Sequence, residues 1–294
     1  MTVDGILIVN KPAGKTSRWT TNQVSRVLRE KKAGHLGTLD PIATGVLPVA
    51  LGRATRLVRF LERDDKEYRA IIRLGRATDT QDATGQVVAE GDFSSVTRGR
   101  LEAAAAALVG ELAQVPPMHS ALKRDGQPLY KLARQGLEVE RPARSITIFA
   151  LVLEDFSPPD LTIRVRCSPG TYLRALAHDL GQTLGCGAHL FGLVRLRSGP
   201  FSLDRALEID SLDPPTAMAG LIPLPDCLPH FPAIELTPDQ VATVRDGGAL
   251  PAPATGDFPP GQHYRLIHQR ELVAVAKSLA HGPQVLLHPL RVMK

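Results

Sequence analysis

The stretch Gly34-His35-Leu36-Gly37-Thr38-Leu39-Asp40-Pro41-Ile42-Ala43-Thr44-Gly45-Val46-Leu47-Pro48 sets one histidine and one aspartate in a loop hinged by glycine. Gly34, Gly37 and Gly45 admit backbone angles and close approaches that a Cβ resists, while Pro41 and Pro48 stiffen the run and remove amide donors. Asp40 is the only acid between Glu30 and Glu62, and Lys31, Lys32, Arg53, Arg56 and Arg59 flank it. Nearby positive charge favours an ionised carboxylate, so the sequence predicts a lowered pKa for Asp40. An isolated Asp-Pro reads as a turn or helix cap. The surrounding glycines and the spacing to His35 favour a side chain that is being aimed.

Working outward, Gly5 to Val9 is a short apolar strand, and Ser17 is expected to cap a helix running through Leu28. Val46 to Leu51 reads as a strand. The alternation in Glu67 to Leu74 puts Tyr68, Ala70, Ile72 and Leu74 on one side and Arg69 and Arg73 on the other, with Tyr68 facing inward or into a cleft. Thr97 to Leu112 is predicted as an alanine-rich helix, Pro128 to Gln135 as a short helix, and Ser145 to Asp155 and Leu161 to Ser168 as strands. Thr171 to Leu184 has helical apolar spacing, with Arg174 on its first turn and Gly185 as its stop. From about Pro229 the texture changes to proline-rich linkers and short strands at His263 to His268, Glu271 to Lys277 and Gln284 to His288. The expectation is an α+β domain over residues 1–228 and a small β-rich module over residues 229–294.

With 294 residues, 43% of them hydrophobic, the chain can bury two cores. No apolar run approaches the roughly 18 residues of a membrane helix, and the start is too short and too early-charged for a secretory signal, so a cytoplasmic protein without membrane contact is expected. Cys167, Cys186 and Cys227 are far apart and in no CxxC pattern, which indicates neither a disulfide framework nor a metal site. Net charge is +5, yet residues 11–76 hold 15 Lys and Arg against 6 Asp and Glu, a local +9 that leaves −4 for the rest. Such concentration suggests a polyanionic substrate, nucleic acid first, although charge alone fits a solvated cationic face as well. Aromatics at 4% disfavour a broad stacking platform for single strands.

Several motifs, in order along nearly the whole chain, carry a resemblance. They are Asn10-Lys11-Pro12-x-Gly14-x-Thr16-Ser17, the Gly34 to Pro48 loop, Gly52-x-Ala54-Thr55-Arg56, Lys66-x-Tyr68, Pro116-Pro117-x-x-Ser120-Ala121-x-Lys123, Tyr130-x-x-Ala133-Arg134-x-Gly136, Gly170-Thr171-Tyr172-x-Arg174, Asp179-Leu180-Gly181 and Leu184-Gly185-Cys186-Gly187-Ala188-His189. Together they resemble the TruB family of tRNA pseudouridine synthases, and the tail from about Phe231 resembles the RNA-binding PUA module.

The resemblance implies a catalytic domain with a mixed, largely antiparallel central sheet flanked by helices. The implied reaction converts uridine 55 in the tRNA T loop to pseudouridine after base flipping, with no metal and no organic cofactor. Asp40 matches the catalytic carboxylate, Tyr68 the active-site tyrosine and Arg174 the arginine that pairs with the aspartate. His35 matches the residue that substitutes for the flipped base, and Leu193 a leucine packed near it. Lys11, Lys123 and Arg134, together with Lys15, Arg18, Lys31, Lys32 and Arg56, are candidate phosphate contacts, and Tyr172 a further RNA contact. His119, Pro169 and Val194 depart from the family's usual residues. The expected partner is the tRNA T stem-loop, bound by a monomer without guide RNA. A guide-RNA-dependent synthase and an RNA-folding helper are the other readings.

Overall fold

The computed structural model describes residues 2–62, 64–120, 122–124, 126–133 and 135–294. Strand β1 (Gly5–Lys11) leads into helix α1 (Ser17–Val27), followed by β2 (Ala33–His35), β3 (Thr44–Leu51) and β4 (Lys66–Leu74). Helix α2 (Arg98–Ala106) precedes β5 (Gly110–Gln114), β6 (Arg144–Ser157), β7 (Asp160–Cys167), helix α3 (Leu173–Leu184) and β8 (Ala188–Ser198). One large sheet runs in the order β1-β3-β8-β4-β7-β6-β5, with Leu207–Glu208 beyond β1 and β2 paired to β3. β3 and β8 run parallel, as do β1 and Leu207–Glu208, while the other pairs in this order are antiparallel. The mixed, largely antiparallel α+β architecture is the one expected.

The alternation in β4 holds: Tyr68, Ala70, Ile72 and Leu74 are buried, Arg69 is exposed and Arg73 half exposed. α3 lies on this core through Leu173, Leu176, Leu180 and Leu184, each leucine contributing roughly 1.5–3 kcal/mol by burial. It ends at Gly185, whose φ of 77° needs no Cβ.

Two local expectations change. The N-cap of α1 is Thr16, whose hydroxyl accepts from Trp19 N at 3.1 Å; Ser17 is buried and bonds the Asp40 loop instead. The predicted helix over Thr97 to Leu112 stops at Ala106, because Gly110 takes φ 113° and Gly110–Gln114 pairs with β6 at the sheet edge. Leu112 is therefore a strand residue.

The C-terminal region forms a second sheet of β9 (Ala233–Glu235), β10 (Leu250–Pro251), β11 (His263–His268), β12 (Glu271–His281) and β13 (Gln284–Val292), in the order β9-β11-β12-β13-β10, with helix α4 (Pro238–Arg245) alongside. Leu272, Val275 and Met293 share a core cluster with Ile6 and Val46 of the first sheet and with Leu57, just past β3. Arg56 and Arg59 complete the junction, donating to the carbonyls of Lys294 and Leu290 at 2.8 Å each. Arg56 is thus committed to this junction rather than free for a phosphate.

Candidate active site

Register gathers the chemistry. On β8, Arg195 stands opposite Tyr68 of β4 and, across the parallel pair, opposite Gly45 of β3; Leu193 stands opposite Ala70. The Asp40 loop therefore enters the sheet beside Tyr68 and Leu193. α3 opens at the same place, with Tyr172 at its N-cap and Arg174 on its first turn. Gln114 fixes that helix start: its side-chain oxygen accepts from Tyr172 N at 2.8 Å and its amide donates to Tyr172 O at 3.1 Å. The result is a cleft of about 540 Å³, lined by Thr38, Asp40, Lys66, Tyr68, Tyr172 and Leu193 among others. A neighbouring hollow between Pro116, Leu122, Leu129 and Arg144 shares Leu122 with it.

Arg174 is the keystone. Its Nε lies 2.8 Å from Asp40 Oδ2, and its Nη2 donates to Asp40 Oδ1 at 3.2 Å and to His119 O at 2.9 Å. Nη1 donates to Thr80 O at 3.2 Å. The guanidinium side chain is 4% exposed whereas the Asp40 side chain is 34% exposed, so the carboxylate is held from below and open above. Fixing it by a forked cation is stronger than a point charge would manage.

Asp82 adds a carboxylate that the sequence reading did not single out. It is buried, its Oδ2 is 3.8 Å from Arg174 Nε, and its Oδ1 accepts from Thr80 Oγ1 at 2.8 Å and from Thr84 N at 2.9 Å. The dense run of turn-forming Asp and Thr in Asp79-Thr80-Gln81-Asp82-Ala83-Thr84-Gly85, directly after the Tyr68 strand, was the available signal.

The predicted direction for Asp40 reverses. Burial pushes its carboxyl above the ordinary carboxylate value, Asp82 adds to that push, and Arg174 with Lys11 opposes it without prevailing. Counting cationic neighbours along the sequence could not price the loss of water. A carboxylate raised this way is, once ionised, a better base and nucleophile than a solvated one.

Tyr68 is buried, and burial likewise raises its phenol, with Arg195 pulling the other way. His35 ends β2, with Nδ1 3.1 Å from Thr21 Oγ1 and Nε2 3.2 Å from Thr38 Oγ1. Burial, then Arg195 and Arg18, lower its pKa, which leaves the imidazole neutral at pH 7. It reaches the cleft wall through Thr38 rather than lining it.

Lys11 is placed differently from the phosphate contact expected. It is fully buried, and its ammonium donates to the carbonyls of Lys15 at 2.6 Å, Pro12 at 2.9 Å and Pro41 at 3.3 Å, tying the β1 loop to the Asp40 loop. Burial pulls its pKa down to about 8. Ser17 makes a second tie, accepting from Leu39 N at 2.8 Å and donating to Leu39 O at 3.1 Å. Lys15, Arg18, Lys31 and Lys32 are exposed. Arg134 and the side chain of Lys123 lie outside the described residues.

Of the loop glycines, Gly45 is the one that nothing could replace: its φ is 102° and a Cβ would fall 2.3 Å from Arg195 O. Gly34 has open space and an ordinary φ, so the hinge begins at Gly37. Cys167, Cys186 and Cys227 are free and buried, with the Cys167 thiol pushed up to about 11 and Cys227 to about 12 by burial. Among the described residues no group of three His, Cys, Asp or Glu side chains comes together as a metal site. No described helix is long and apolar enough to cross a membrane.

Comparison with known proteins agrees with this geometry. The chain is 48% identical over 95% of its length to tRNA pseudouridine synthase B of Geobacter sulfurreducens, covering 94% of that protein. It is 45% identical to the Geotalea uraniireducens protein of the same name, over 99% of this chain and 97% of the other. Among solved structures, a Cbf5-Nop10-Gar1 complex matches with TM-score 0.75 and 27% identity, over 99% of this chain and 85% of the other. The archaeal box H/ACA sRNP Nop10-Cbf5 complex matches with TM-score 0.73 and 26% identity, over 99% and 86%. Residues 25–173 match the model of the N-terminal domain of TruB family pseudouridylate synthase and residues 174–218 that of the tRNA pseudouridylate synthase B C-terminal domain; the chain belongs to the TruB family of pseudouridylate synthases.

Proposed function

We propose that this chain is a stand-alone tRNA pseudouridine-55 synthase whose catalytic carboxylate is Asp40. The observation that carries the reading is the Arg174–Asp40 ion pair at 2.8 Å, buried on the arginine side and open on the aspartate side, beneath Tyr68 in one cleft. The reaction is an isomerisation. The bond from C1′ to N1 breaks, the uracil turns, C5 joins C1′, and the proton leaving C5 balances the one gained at N1. Asp40 acts on the base or sugar as nucleophile, or initiates elimination from the ribose. Tyr68 stacks on the uracil and accepts or shuttles the proton.

A uridine within a folded T loop reaches Asp40 only by leaving its stack, at a cost of a few kcal/mol. His35, held neutral and oriented by two threonine hydroxyls, supplies a flat surface for the vacated position. Leu193 and Tyr172 pack against the everted base. Lys15, Arg18, Lys31 and Lys32 are exposed cations that meet phosphates, and Lys123 and Arg134 are given the same task on their motifs. Residues 229–294 act as a PUA-like grip on the RNA, with residues 1–228 as the catalytic domain. Relatives at 40–49% identity are named tRNA pseudouridine synthase B, whereas the box H/ACA sRNP Nop10-Cbf5 complex and the Cbf5-Nop10-Gar1 complex match at 26–27%, which favours action without a guide.

Purified protein with an unmodified T-arm transcript, lacking guide RNA and added metal, is expected to form pseudouridine at position 55. Asp40→Asn is expected to lower the rate by about 10³-fold or more. Binding of the transcript by wild type without product would overturn the reading in favour of an RNA-folding helper.

A further inference from the structure

Arg195 was not among the residues that the motifs assigned a task, yet it occupies the centre of the site. Its guanidinium is 1% exposed and takes part in no ion pair with a carboxylate among the described residues. A buried cation left without a counter-ion is costly, and an apolar side chain would fill the space more cheaply if packing were its only task.

Its partners explain the placement. Nε donates to Val46 O at 2.7 Å and Nη2 to Leu36 O at 3.4 Å. Leu36 and Val46 bracket the loop that carries Asp40, so one planar group closes both stems. The loop backbone is fitted flush to it. A Cβ on Gly37 would lie 3.0 Å from Arg195 Nη1, and one on Gly45 only 2.3 Å from Arg195 O. The guanidinium also acts on Tyr68, which sits directly opposite on the neighbouring antiparallel strand and whose phenol Arg195 draws toward ionisation against its burial.

We propose that Arg195 is a positioning residue for the isomerisation: it clamps the two stems of the Asp40 loop and holds the Tyr68 phenol, setting carboxylate and phenol at a fixed separation across the cleft. The proposal rests on the roles given above to Asp40 and Tyr68. A lysine at this position would keep the charge but, as a point donor, could not serve two carbonyls and a phenol in one plane. Besides Arg195, Tyr68 faces Cys167 and Asp40, and of these three only the arginine favours a phenolate.

The test combines turnover with the titration of Tyr68, read by ultraviolet difference spectra and assigned by subtracting a Tyr68→Phe protein. Arg195→Gln is expected to lower kcat by about 100-fold with KM changed by less than about 3-fold, as loss of alignment predicts. Its Tyr68 should ionise at higher pH than in wild type. Arg195→Lys is expected to leave the Tyr68 titration near that of wild type yet lower kcat about 10-fold. Should Arg195→Gln not fold, Arg195→Lys decides alone: a folded lysine variant with full turnover overturns the proposal. So does a folded Arg195→Gln whose Tyr68 titrates as in wild type, since a purely structural arginine would leave the phenol unmoved. Asp40→Asn serves as the control. An active Asp40→Asn removes the underlying site reading, whereas an inactive Asp40→Asn beside a fully active Arg195→Gln removes only the role given to Arg195.

Discussion

The two large sheets of this protein treat buried charge in opposite ways. In and against the first, Lys11, Lys66, Asp82, Arg174 and Arg195 are all buried, most of them around one cleft; among the described residues the second sheet buries a single polar side chain, Ser278. Buried ions cost several kcal/mol each to desolvate and repay only part of it through pairing. The first sheet therefore carries an electrostatic burden that its packing must offset, and the second carries almost none. Loss of a buried ion in the first sheet should show in turnover before it shows in stability, and loss of apolar volume in the second the reverse.

The largest effect should follow from Arg174→Lys, which keeps the charge and breaks the fork. Asp40, Thr80 O and His119 O are spread around the nitrogens of a planar fork that the single nitrogen of an ammonium does not span, so turnover on T-arm transcript should fall by about 10²–10³-fold while the chain still folds. Circular dichroism and steady-state rates on one preparation check both halves. Near-normal turnover would remove Arg174 from the machinery and with it the sharpest difference between the sheets.

Leu266→Ala is the mirror experiment. Leu266 is fully buried in a cluster with Leu236, Val244 and Tyr264, all in the second sheet, in α4 or in the link between β9 and α4. Deleting its side chain should cost about 2–5 kcal/mol by chemical denaturation, with kcat per folded molecule unchanged. A large drop in kcat would mean that the second core reaches the cleft, through the shared cluster of Leu272 and Val275 with Leu36 and Val46.

What was legible in the sequence follows the same division between local and distant causes. The alternation in β4, the Gly185 stop of α3 and the strand at His263 to His268 are written in adjacent residues, and each appears where the pattern put it. Asp40 and Arg174 are 134 residues apart and meet, but only their motifs, not their spacing, paired them. Lys11 and Arg56 looked like surface cations because charge in a sequence carries no depth; carbonyls of Pro41 and Lys294, contributed from elsewhere, take them up. Arg195 was missed because its partners are set by strand register, and Asp82 because only the fold brings its local turn against Arg174. The helix over Thr97 to Leu112 was overextended because alanine spacing does not reveal the edge pairing with β6 that claims Gly110–Gln114.

The pH dependence of stability sharpens the contrast further. Lys11 is lowered from 10.5 to about 8 in the folded protein, so between those values the unfolded chain binds more protons. Stability should therefore rise with pH across that window, by about 3 kcal/mol for this group alone if the full shift is expressed. Lys66 is also lowered by burial and acts in the same direction, while the Cys167 and Cys227 thiols, raised by burial from 9.0 to about 11 and about 12, oppose the rise above pH 9 and Tyr68 opposes it above 10.0. Denaturant midpoints measured from pH 7.5 to 8.5, below the range where the thiols titrate in the unfolded chain, should climb in wild type and climb less in Lys11→Met. A flat profile in wild type would mean that the three carbonyls around the ammonium compensate its burial fully.

The smallest expected effect concerns the second sheet's one buried polar side chain. Ser278 Oγ lies 2.5 Å from Pro259 O and 3.3 Å from Gln262 O, so its single proton serves one carbonyl at a time. Ser278→Ala removes a neutral donor and leaves no buried ion behind. The cost should be about 1 kcal/mol, within the range for a neutral hydrogen bond, with no change in kcat or KM. Urea midpoints resolve a loss of that size. A cost several times greater would show that the Pro259 carbonyl depends on this hydroxyl to stay buried, and the second sheet would then share, on a smaller scale, the polar burden of the first.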